Sequence, residues 1–244
     1  MSIKLGKIAA AAAMTMGATL AQASCNGLPT QAALKAALVS AVSTETSGLD
    51  FQMWATVVDR DGVVCAVAFS GADRGSQWPG SRVISAQKAN TANAFSLDGL
   101  ALSTANLYSA VQPGGSLYGL QHSNPVDTGV AYGGNSANNG TINDFMVGKK
   151  IGGVNVFGGG LALYNAQHKV IGAVGVSGDT SCADHMIGWR VRNGLGLDHL
   201  FGVVGGVSGD ASRPDNIILD LTNAFGHPNC LNTGNPGALP AVSP

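Results

Sequence analysis

Charge is what this chain has least of. Lys and Arg number 13 and Asp and Glu 14 among 244 residues, 11% together. So thin a basic content carries no footprint of a nucleic-acid or anionic-membrane binder. No apolar stretch is long enough to span a bilayer, so no integral membrane segment is expected. The lysine of a phosphate loop and the dinucleotide fingerprint are both missing, which removes the two commonest nucleotide-binding designs.

What the chain does hold is 45% hydrophobic residues and 35 glycines, the composition of a single domain with long glycine-bearing loops. Its first residues stand apart. Lys4 and Lys7 form a basic start, residues 8–20 are apolar and alanine-rich, and Ala21-Gln22-Ala23 is an A-x-A cleavage site. This predicts a signal peptide over 1–23, a mature chain from Ser24, and a periplasmic or secreted protein. Gln22 stands where a lipoprotein signal carries leucine, which argues against a lipid anchor on Cys25. Without Lys4 and Lys7, eleven basic residues face fourteen acidic ones, a formal charge of −3. The expected organisation is one domain over 24–225 and a tail over 226–244.

All 4 cysteines lie in the exported part, and an even count in an oxidising compartment favours disulfides. A helix over 30–43 leading back into a strand over 54–59 would start near that strand's far end. Cys65, early in the returning strand, lies at the same end. That favours Cys25–Cys65 and leaves Cys182–Cys230.

One structural phrase occurs twice. Residues 54–69 (WATVVDRDGVVCAVAF) read as strand, polar turn, strand, with a helix from about Ser81. Residues 161–177 (LALYNAQHKVIGAVGVS) repeat the pattern, with a helix from about Thr180. Two hairpins separated by helices predict an α+β fold, one antiparallel sheet with helices packed against it. The nearly all-apolar run 63–69 suggests a central strand, and Ser81 a helix N-cap. Gly152–Phe157 and 216–221 (NIILDL) are candidate further strands, and the tail from Gly226 reads as loop pinned through Cys230. The long inserted loop over 109–150 carries Tyr108, Tyr118, His122 and Tyr132 in or beside it, which favours ordered cover over a site.

Several chemistries can be weighed from the residues alone. Val176-Ser177-Gly178-Asp179 is one glycine short of a nucleophile elbow, and Ser208 repeats the mismatch. Cys182-Ala183-Asp184-His185 and His227-Pro228-Asn229-Cys230 could form a zinc site of two thiolates and two imidazoles. Exported thiols close together usually oxidise to each other instead, and His185 reads as a surface residue. The strand end at Gly175–Thr180 delivers backbone N–H groups to a helix start where a carboxylate could rest. No C-x-x-C-H is present, so covalent c-type haem attachment is excluded.

Residues 55–69, AQKANTANAF (86–95), LSTANL (102–107) and GGGLALYNAQHKVIGAVGVSGD (158–179) resemble the GlcG/HbpS-like family of haem-binding and haem-degrading proteins. The match covers roughly 30–195 without the long loop, and its most specific part is the second hairpin, strand end and helix in order. The resemblance implies a profilin-like fold, assembly into a homo-oligomer, and non-covalent haem as cofactor, with slow haem breakdown or a sensory role in some members. The family's haem-iron threonine falls on Thr104, although Ser103 replaces the family's proline. The family's helix lysine falls on Lys88, preceded here by Gln87 where the family has arginine. On this reading Lys88 and Arg82 pair with propionates, and Leu97, Leu100 and Leu107 hold the macrocycle. His122 is the alternative iron ligand, because imidazole binds iron better than a neutral hydroxyl. A second function is an enzyme acting on a small hydroxy acid or aldehyde, its carboxylate held near Gly178; a third is a structural oligomer with a vestigial pocket.

Overall fold

Asp59 and Asn165 open the same turn twice. In the computed structural model of the chain, which describes residues 25–244, Asp59 Oδ1 accepts the N–H groups of Asp61 and Val63. Asn165 Oδ1 likewise accepts those of Gln167 and Lys169. Such side-chain bonds to the next backbone amides close tight turns without help from elsewhere. Gly62 at φ 76° and His168 at φ 56° then complete the two reversals. The expected signal segment and its cleavage point lie outside the described residues.

The turns join β1 (Trp54–Asp59) to β2 (Val64–Phe69) and β3 (Gly160–Tyr164) to β4 (Val170–Ser177). The hairpins share one four-stranded antiparallel sheet in the order β2-β1-β4-β3, with Thr56 opposite Gly175 across the central pair. β2 is therefore an edge strand and β1 a central one, the reverse of what the apolar run 63–69 suggests. Its composition follows from cover on both faces and along its rim. Val64 N donates to Lys149 O at 2.9 Å and Gly148 N to Val64 O at 2.8 Å, so the long loop partners the free edge.

Helices cover both faces. α1 (Gln31–Thr44) starts at Thr30, whose hydroxyl accepts from Ala33 N at 3.2 Å, and buries Leu34, Leu38 and Ala41. α2 (Ser81–Phe95) lies on the opposite face, its Ala86, Ala89 and Ala92 packed with Val58, Val64 and Ala173. Ser81 is the first residue of α2 and not its cap; Gly80 holds the cap position and has no side chain to offer. Two single-turn helices, α3 (Leu120–Ser123) and α4 (Thr128–Ala131), punctuate the long loop. α5 (Ser181–Gly194), capped by Thr180, shares the first face with α1.

Close approach of α2 to β4 depends on Gly175. A Cβ there would strike Ser85 O and lie 2.5 Å from Ala89 N. Residues 152–157 and 216–221 form no strand. Gly152 makes a single bridge to Val126, while Ile217 buries itself with Ala105 and Cys182 instead of joining a ladder. Alternating or apolar runs pair only where a strand edge is free; here the outer side of β3 already meets Leu197 and Asp198. Both expected disulfides form, Cys25–Cys65 with Cα atoms 5.7 Å apart and Cys182–Cys230 with Cα atoms 6.0 Å apart. No described helix is long and apolar enough to cross a membrane.

Candidate functional site

Three glycines at the start of β3 open a passage beside the sheet. A Cβ on Gly159 would lie 3.1 Å from Asp184 Cβ and 3.2 Å from Lys88 Nζ, and one on Gly160 would strike Thr104 Cγ2. Lys88 of α2 reaches through it to Asp184 of α5, at 2.6 Å, and donates also to Val176 O at 3.1 Å. Asp184 Oδ1 accepts from Gly178 N at 3.0 Å and Asp179 N at 2.9 Å. The backbone amides expected to receive an external carboxylate are thus occupied by one of the chain's own. Burial pushes the Asp184 carboxyl up to about 6 against the opposing pull of Lys88.

Thr104 adjoins this pair. Its side chain is fully buried; the hydroxyl donates to Phe157 O and accepts from Gly160 N at 2.9 Å. Ser103, where the resemblance expects proline, holds the turn differently: its N–H and its hydroxyl both donate to Asn106 Oδ1, at 3.0 and 2.9 Å. Arg82 is also buried and paired. Its Nε donates to Asp144 at 2.8 Å and its Nη1 to Ala131 O at 2.8 Å. Asp144 in turn accepts from Gly140 N and Met146 N. Arg82 thereby anchors the long loop to α2, which is why that loop is ordered cover. Leu107 is buried, whereas Leu97 and Leu100 are exposed.

His122 lies apart from the polar centre, on α3. It is exposed and makes no side-chain hydrogen bond with the described residues. α3 adjoins a small apolar cluster whose buried members are Leu102, Leu107, Val111 and Val156. Phe95, Leu117, Leu120, Val154, Val207 and Phe225 pack against it half-buried. Leu120 of α3 belongs to this cluster, and His122 follows it two residues on, exposed. Thr104 offers no such access as the structure stands, because its side chain is fully buried and its hydroxyl bonds Phe157 O and Gly160 N. The structure therefore brings Thr104 and Lys88 together and leaves Arg82 and His122 elsewhere.

Sequence reasoning missed several buried groups here. His185 is fully buried, not on the surface. Its Nε2 lies 3.2 Å from Asn216 Oδ1, and its Nδ1 has no partner among the described residues. Asn216 Nδ2 donates to Pro236 O, which fixes the amide, and Ile217 N–H is shared between Asn216 Oδ1 at 2.9 Å and His185 Nε2 at 3.1 Å. Burial lowers this imidazole to about 4. His227 stands next to Ser181, 2.9 Å from its hydroxyl, and burial lowers its pKa too. The C-x-x-H and H-x-x-C spacing signalled that Cys182, His227 and Cys230 converge, but not that His185 would face away.

A family model described as the HbpS-like haem-degrading proteins matches residues 28–190, more than half of the chain. Curated proteins give no match. Among solved structures the chain is similar to protein ORFY of Klebsiella pneumoniae, at 29% identity over 68% of this chain and 90% of that one, TM-score 0.45. It is similar to a PduOC:heme complex at 23% identity over 67% and 89%, TM-score 0.46. For HbpS itself the values are 15% identity over 79% and 97%, TM-score 0.43.

Proposed function

We propose that this chain, which belongs to the HbpS-like family of haem-degrading proteins, is an exported protein that binds haem non-covalently at α3. Family membership supports haem as the ligand. The observation that carries the location is His122, an exposed imidazole on α3 with no side-chain hydrogen bond among the described residues, two residues after Leu120 of the apolar cluster. On this reading His122 is the iron ligand and the half-buried Leu117, Leu120 and Phe225 meet the macrocycle. Bound haem supplies a redox-active iron whose behaviour follows its axial ligand and the polarity around it. Thr104 is the alternative ligand and would have to give up its bonds to Phe157 O and Gly160 N. Lys88 and Arg82 reach propionates only if Asp184 and Asp144 release them; otherwise the propionates stay in water.

The signal-like first 23 residues and two disulfides support export. Self-association belongs to the same proposal. Amino-terminal sequencing of the exported protein should begin at Ser24, and light scattering should give a mass above one chain.

Titration with haemin tests the main reading. The expected result is a saturable Soret shift, weakened at least about tenfold in His122→Ala and little changed in Thr104→Ala. The opposite pattern would move the iron to Thr104, and no saturable shift in any variant would end the proposal.

A further inference from the structure

The second disulfide belongs to a cluster that haem binding leaves unused. Cys182 Sγ, Cys230 Sγ and a ring nitrogen of His227 all lie within 4.8 Å of one another. His227 Nδ1 is 2.8 Å from Pro228 O, which can only accept, so Nδ1 carries the proton. Nε2 is then the bare nitrogen, and Ser181 Oγ donates to it at 2.9 Å. The same hydroxyl lies 3.6 Å from Cys230 Sγ. An imidazole whose Nδ1–H is fixed by a carbonyl, with Nε2 and Cys230 Sγ meeting the same Ser181 hydroxyl, has the orientation of a metal-binding histidine. Cys182 is the second residue of α5, where the helix dipole favours a thiolate. Ser181 and Cys230 are only half-buried, so a reductant and an ion can reach the cluster.

We propose that Cys182, Cys230 and His227 form a zinc site that opens when their disulfide is reduced and closes when it reforms. A dithiol reductant supplies two electrons and two protons. The Cys182–Cys230 bond breaks, two thiols form, and the reductant becomes a disulfide. Zinc then displaces the two thiol protons and binds two thiolates and His227 Nε2, with the Ser181 hydroxyl or a water in the fourth position. Two sulfurs and one nitrogen select zinc over magnesium or calcium, which take oxygen ligands. His185 takes no part, since Asn216 and Ile217 occupy it. Either linkage, disulfide or metal, ties the tail to α5 where Ile217 packs on Cys182.

The test uses the mature chain carrying Cys25→Ser and Cys65→Ser, so that only one pair of thiols can appear. After reduction with a phosphine under nitrogen it should bind one zinc per chain, and cobalt(II) should give a thiolate charge-transfer band. The oxidised protein should bind none. Adding Cys182→Ser should abolish binding, and His227→Ala should weaken it by at least about tenfold. Circular dichroism guards against an unfolded reduced state: loss of helix that zinc restores supports the site. No zinc uptake by the reduced protein, uptake that survives Cys182→Ser, or unfolding that zinc does not reverse would overturn it.

Discussion

Lys88 Nζ and Asp184 Oδ2 lie 2.6 Å apart although their helices pack on opposite faces of the sheet. They meet past the end of β3, where Gly158, Gly159 and Gly160 carry no side chains. Both groups are almost wholly buried, so the pair holds two helices together only while both partners are present.

Lys88→Met is therefore expected to cost about 3–5 kcal/mol at pH 7, because it strands the Asp184 carboxylate in the interior. Urea unfolding measures this. The loss should shrink at pH 5, where Asp184, held at about 6, is largely protonated and needs no cation. An equal loss at both pH values would show that Lys88 acts through packing alone.

Gly159→Ala should be nearly as damaging without removing any charge. Its φ of 116° is strained for alanine, and the new methyl would strike Val176 O and crowd Lys88 Nζ. The expected loss is about 2–4 kcal/mol by urea unfolding. A drop below about 0.5 kcal/mol would mean that the passage is wider than the structure shows.

Local chemistry made much of this fold legible. The two hairpin turns, the helix after residue 30 and the cysteine pairing all depend on residues near in sequence or on a simple end-to-end argument, whereas the cap expected at Ser81 falls on Gly80. The centre of the sheet was less legible, since an apolar run such as 63–69 looks the same on a covered edge as in the middle. Buried charges were the hardest to foresee. Lys88 finds Asp184 and Arg82 finds Asp144 across 96 and 62 residues, and no spacing rule announces either pairing. The resemblance pointed to Thr104 and Lys88 as neighbours. It could not reveal that the chain's own carbonyl and carboxylate would occupy them.

The disulfide between Cys25 and Cys65 ties the segment before α1 to β2 across 40 residues. Loop-closure entropy for that span gives about 3–4 kcal/mol of stabilisation. Cys25→Ser with Cys65→Ser should lower unfolding free energy by about that amount and leave the far-ultraviolet spectrum unchanged. A shift of under 1 kcal/mol would mean that the unfolded chain is already compact in this region.

His185 should make the protein sensitive to mild acid. Its imidazole is buried and held at about 4, whereas in the unfolded chain it titrates at the ordinary 6.5. Between these values the unfolded state binds the extra proton. The stability that neutral His185 contributes is therefore complete above pH 6.5 and is lost as pH falls towards 4, by about 3 kcal/mol. Asp184 works in the other direction: its raised pKa means that its contribution falls as pH rises from about 4 to about 6. The two overlap, so the wild-type curve alone conceals both. His185→Gln removes one titration and keeps a hydrogen-bonding side chain beside Asn216 and Ile217, so Asp184's contribution cancels in the difference between the two proteins. Unfolding free energies measured from pH 7.5 to 4 should show wild type losing its advantage over His185→Gln as acid is added. Parallel curves would mean that His185 is protonated in the folded protein, and the unpartnered Nδ1 would then need an acceptor.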